Sequence, residues 1–175
     1  FRDVMKAYQD PVNAGFHKDE PAKTHPLMAV CALHALHIVR YKLDRVDWLH
    51  HIVMIGLAAP LGLAIRGSTL LGHGLFYFSG LPGALDYTML VLVRLGMMHS
   101  STERHWNAAI NLWLRAPGCL VHCVLCWMTY VETRKGREIT DCRLPSSMYP
   151  LASCLLAACS YWNGQFFLNR VIRSS

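Results

Sequence analysis

The chain has 175 residues, of which 53% are apolar and 16% charged, against roughly 25% charged in an average globular protein. That balance excludes an ordinary soluble domain, and five Trp, seven Tyr and six Phe exclude disorder. The net charge is +6, but the basic residues sit in small groups beside apolar runs (Arg40-Tyr41-Lys42, Arg134-Lys135-Gly136-Arg137, Arg170 to Arg173), which excludes a nucleic-acid surface and fits contact with lipid headgroups.

Residues 1–25 are polar, mixed in charge and punctuated by Pro11, Gly15 and Pro21, and read as a membrane-surface segment or loop. The chain begins with Phe1 rather than Met, so it is expected to be a fragment lacking an upstream span. A transmembrane domain is expected over 26–173. Its first apolar run, Pro26 to Val39, is shorter than the ~20 residues that cross a bilayer. With His34 and His37 inside it, it reads as a helix buried in a bundle.

Trp48 to Ile65 is the clearest span, with Pro60 inside it. Thr69 to Met98 is too long for one span, and Ser79-Gly80-Leu81-Pro82-Gly83 is a turn signal. A short helix or re-entrant segment followed by a fuller helix, Ala84 to Met98, is therefore expected. From Arg104 to Arg115 the pattern is amphipathic. Trp106, Ala109, Ile110 and Trp113 form one face, and Arg104, Asn107, Asn111 and Arg115 another. Such a helix either lies in the interface plane or turns its polar stripe into the bundle. Pro117-Gly118 predicts a break or kink, after which Cys119 to Val131 continues as apolar helix. Glu132 to Pro145 is densely charged and lies outside the membrane. Met148 to Leu168 is the last span, with Asn163, Gly164 and Gln165 near its end. The expected fold is an all-α polytopic transmembrane bundle of about five or six helices.

Six of the seven cysteines (Cys31, Cys119, Cys123, Cys126, Cys154, Cys159) lie inside apolar runs and read as buried thiols. Cys119, Cys123 and Cys126 share one helical face, from which His122 is expected to point away. A di-iron site would need more His-rich boxes than His34-Ala35-Leu36-His37 and His50-His51 supply. No metal centre and no cofactor is expected.

The ionisable groups inside apolar runs are the functional candidates, because burying them in a membrane is costly. Asp86 is the only acidic residue of this kind, although a place in the first turn of a helix would also suit it. Arg94 and Arg115 are the cations; Arg94, near a helix end, can snorkel. His34 and His37 share a face with Tyr41. His50 and His51 are adjacent, about 100° apart on a helix. Asp47 precedes them and can fix a ring tautomer. His50, His51 and Asp86 are the candidate catalytic residues. His34, His37, Asp47, Arg94, Asn107, Asn111, Arg115, Asn163 and Gln165 are the candidate binding residues.

The stretch Asp47-Trp48-Leu49-His50-His51-Ile52-Val53, opening a span, resembles the TLC domain, the family of the translocating-chain-associated membrane protein and the ceramide synthases. Arg66-Gly67 after the span, Asp86-Tyr87 in the next helix and Asn163-Gly164-Gln165 in the last one support the resemblance. The short length and the Gly80-Leu81-Pro82-Gly83 turn resemble the smaller members more than the ceramide synthases, whose second motif, His-Asp followed by another Asp, is not matched where His73 is followed by Gly74. The resemblance implies a lipid-related role: binding, sensing or membrane-lipid homeostasis. For the ceramide synthases it implies N-acylation of a long-chain base by acyl-CoA, with His50 or His51 as general base and Asp86 orienting it. The implied partners are membrane lipids, acyl-CoA and a lipid amine. The expected location is the endoplasmic reticulum or another endomembrane.

Overall fold

The structure, a computed structural model, describes residues 1–16, 24–65, 68–139 and 142–174. Among these residues the regular structure is helical, with no strand. The helices are α1 (Arg2–Gln9), α2 (Thr24–Arg40), α3 (Arg45–Ile65), α4 (Thr69–Arg94), α5 (Ser100–Arg134) and α6 (Tyr149–Ser174). Local chemistry sets several of the ends. The Asp44 carboxylate accepts the amides of Val46 and Asp47 at 2.8 and 2.7 Å and starts α3. Gly96 and Gly136, at φ +70° and +91°, end α4 and α5 in the left-handed conformation that other residues resist.

Among the described residues three helices, α3, α4 and α5, are long and apolar enough to cross a membrane. At 35 residues α5 is about 52 Å long, well beyond the ~30 Å of a hydrocarbon core. The last expected span forms α6 but is not among these three, because Ser153, Ser160 and Asn163 interrupt its apolar run. All three side chains are buried.

Two expected interruptions are absent. The Ser79–Gly83 segment neither turns nor re-enters; α4 runs through it without a break and ends at Arg94 instead of Met98. Likewise α5 runs through Pro117-Gly118. The reason is a repeated local device. Each interior proline is preceded by a wider π turn: Ile52–Ala58 before Pro60, Phe76–Gly80 before Pro82, and Asn111–Arg115 before Pro117. In each case the residue just before the proline donates its amide five residues back: Ala59 to Met54, Leu81 to Phe76, Ala116 to Asn111. Proline has no amide proton, and its ring collides with the carbonyl four residues earlier. Widening the preceding turn by one residue removes the collision while the helix continues.

The helices alternate in direction. Arg170 of α6 pairs with Asp47 at the start of α3. At the far end, the Arg143 amide, in the α5–α6 connection, donates to Ala64 O at 2.9 Å. The most extensive helix contact is that of α5 with α6. A Cβ on Gly164 would lie 2.8 Å from that of Cys119, so glycine permits the approach. Residues 1–16, one helix followed by turns, dock on the bundle. α1 packs on the first half of α4, with Val4 and Ala7 buried and Tyr8 Oη 3.1 Å from Tyr77 Oη. Arg137 donates to Asn13 Oδ1 and lies 3.8 Å over the Phe16 ring.

Burial divides the molecule. Ile65, Leu70, Ile139, Tyr149 and Leu156 belong to an apolar core at the end where α3 finishes. Elsewhere the usual distribution is inverted. His50, His51, Asn111, Arg115, His122 and Asn163 are buried, while Leu36, Val39, Ile52, Leu112 and Trp113 are exposed.

Candidate functional site

The buried polar groups surround a chamber of about 270 Å³ between α2, α3, α4, α5 and α6. His34 and His37, one helical turn apart on α2, meet His50 and His51 of α3. The His34 ring is centred 5.1 Å from His51 and 6.1 Å from His50, and His37 is 5.6 Å from His51. The two pairs recognised in the sequence thus form one four-imidazole cluster. His34 Nδ1 is tied to Val30 O at 2.8 Å, and the His37 ring lies 4.9 Å from Tyr41. His50 is clamped by aromatic rings of α6, stacked on Phe166 at 4.9 Å and edge-on to Phe167 at 5.1 Å.

Asp47 lines the chamber, but its carboxylate is held by Arg170 of α6 instead of by a histidine ring. The Nδ1 atoms of His50 and His51 are sealed from solvent without a partner. In each ring Nε2 is the nitrogen that has access, the arrangement a proton acceptor facing a bound molecule requires.

Across the chamber, Asp86 of α4 and Arg115 of α5 both contribute to the wall. Arg115 ends a ladder along one face of α5. Glu103 accepts from Asn107 at 3.4 Å, Asn107 Oδ1 accepts from Asn111 at 2.6 Å, and Asn111 Oδ1 accepts from Arg115 Nη1 at 2.8 Å. The guanidinium also sits 4.2 Å over the Phe167 ring. The amphipathic stripe therefore faces inward. Its N-terminal member is Glu103, which is buried, and not Arg104, which is exposed. Asn163 of α6 lines the chamber with its side-chain oxygen unpartnered and its amide 3.7 Å from Cys119 Sγ.

Two candidates fall outside. Arg94 is exposed at the end of α4, and Gln165 is exposed on the outer face of α6. Asn107 and Asn111 act on the chamber only through Arg115. Arg66-Gly67 lies outside the described residues.

Sequence reasoning missed Arg170, Phe166, Phe167 and a second imidazole pair. His73 and His122 stack at 5.4 Å, and His122 lines the chamber. Contrary to expectation, His122 does reach the cysteine face, with Nε2 3.5 Å from Cys126 Sγ. The signal for this pair was present, since both are ionisable groups inside apolar runs. All seven cysteines are free thiols. Compared with family models, curated proteins and solved structures, the chain matches none.

Proposed function

We propose that the chain is a polytopic membrane protein of TLC type that takes a membrane lipid into this chamber, with the polar end of the lipid at the imidazole cluster, Asp86 and Arg115. The observation that carries this reading is the inverted distribution of side chains. Ionisable groups converge inside while Leu, Val, Ile and Trp side chains cover the outside. In water that arrangement is unstable; in a bilayer it is the arrangement that buries polar groups away from hydrocarbon. The chamber has a polar half and an apolar half lined by Ile65, Leu70, Leu71 and Leu75, which suits an amphipathic molecule. Its place in the cell under this reading is the endoplasmic reticulum or another endomembrane.

A second reading, acyl transfer, is favoured by one specific feature: the accessible Nε2 atoms of His50 and His51 in a chamber that Asp86 also lines. Either imidazole would take the proton of an attacking lipid amine as it adds to the thioester carbonyl of acyl-CoA. Collapse of the adduct would form the amide, and the proton would pass to the departing thiolate.

Lipid analysis of membranes with and without the protein, beside the His50→Ala, His51→Ala double mutant, separates the two. Lipid that co-purifies with the wild type, with no change in acylated products, is the expected result. New N-acylated long-chain bases that vanish in the double mutant would make acyl transfer the function. Purification free of lipid, or extraction without detergent, would overturn the membrane-lipid reading.

A further inference from the structure

Asp86 and Arg115 form a divided ion pair. Both line the chamber, yet no hydrogen bond and no nitrogen–oxygen contact within 4 Å joins them. Opposite charges in a medium of low dielectric attract strongly and normally close into contact. Here each is held back. Arg115 is fixed by Asn111 at 2.8 Å and by the Phe167 face at 4.2 Å. Asp86 is fixed by its place on α4, packed beside α5.

The remaining atoms say what each charge presents. Asp86 Oδ1 and Arg115 Nε are sealed and unpartnered, and Arg115 Nη1 is taken by Asn111. That leaves Asp86 Oδ2 as the acceptor, and Arg115 Nη2 with the second Nη1 hydrogen as the donors, open to the chamber. Two opposite charges that line one cavity without closing on each other are the complement of a molecule that carries both signs itself.

Building on the lipid-chamber reading, we propose that the headgroup is zwitterionic: an ammonium directed at Asp86 and a phosphate or carboxylate directed at Arg115. A purely anionic lipid satisfies Arg115 and is repelled by Asp86; a simple amine does the reverse. The selection uses desolvation on both sides, since a ligand lacking one charge leaves the facing group buried and unpaired.

The test uses the full chain in detergent and four probes with the same hexadecyl chain: phosphoethanolamine, phosphate, amine and alcohol. Free phosphoethanolamine serves as a fifth, chainless probe. The phosphoethanolamine lipid should bind tightest, by about tenfold or more over each of the others. Asp86→Asn should abolish the preference for the zwitterion over the phosphate. Arg115→Gln should abolish its preference over the amine. Because either single variant can perturb folding, each is first checked for the wild-type helical circular dichroism and elution volume in detergent, and the Asp86→Glu and Arg115→Lys variants, which keep the charge, should keep the preference. Equal binding of all four long-chain probes by the wild type would overturn the zwitterion inference and leave the lipid chamber standing. Binding of none would overturn the chamber reading itself. Equal competition by the chainless probe would keep the headgroup chemistry but overturn its lipid source.

Discussion

At the scale of single residues, the chamber depends on groups that never touch it. Asn111 is almost fully buried and bonds Arg115, Asn107 Oδ1 and the Asn107 carbonyl. Asn111→Leu would keep the volume and remove every one of these bonds. Its expected cost is about 1–3 kcal/mol, the penalty for leaving buried polar groups unmatched. Equilibrium denaturation in detergent measures it, and a loss of a few tenths of a kcal/mol would mean that the ladder does not hold Arg115. The polar stripe was legible in the sequence from the spacing of Asn107, Asn111 and Arg115. Its first member was not, because Glu103 and Arg104 differ by one position and only packing decides which faces inward. The meeting of the His34–His37 and His50–His51 pairs was equally hidden, since it depends on how α2 lies against α3. Gly164 was noticed for its neighbours, yet its own role is to bring α6 against Cys119.

At the scale of elements, the apolar runs foretold α2 and α3 to within three residues, and the start of α6, which runs on past the expected end at Leu168 to Ser174. The prolines misled, because proline interrupts most helices and nothing in a short sequence window announces that the turn before it will widen. The register of α3 is where this matters. A π turn adds one residue, about 100° of rotation, between His50-His51 and the half of α3 that ends at Ile65. Pro60→Ala allows the ordinary α turn to reform. The helix should then be at least as stable, since alanine is favoured over proline by about 3 kcal/mol in a helix interior. The imidazoles, however, rotate away from the chamber. The expected outcome is unchanged or higher thermal stability with lipid co-purification lost. Retention of lipid at wild-type levels would show that the π turn is dispensable.

At the scale of the whole molecule, the exposed aromatic residues report the solvent. Trp113 is 77% exposed, and Trp106 and Trp127 are each more than half exposed, on a helix apolar enough to span a membrane. In liposomes, brominated acyl chains should quench most of this tryptophan fluorescence while aqueous iodide quenches little. The reverse pattern would sink the membrane assignment. The ion pair of Asp47 with Arg170 is part of the same picture. It ties α6 to α3 while half exposed at one end, so its contribution to stability should be below about 1 kcal/mol. Arg170→Leu should change the melting temperature little.

The three proline sites have a further consequence for recognition. A proline removes a main-chain donor without removing the acceptor that donor would have met. Pro60, Pro82 and Pro117 sit on the three helices that carry His50-His51, Asp86 and Arg115. Each of those helices is therefore one backbone donor short. Acceptors of this kind belong to the peptide chain, so replacing side chains one at a time would leave them all in place. Whatever part of selectivity they supply would persist through an alanine scan of the residues that line the chamber, and would change only when the prolines, which lie outside that lining, are replaced.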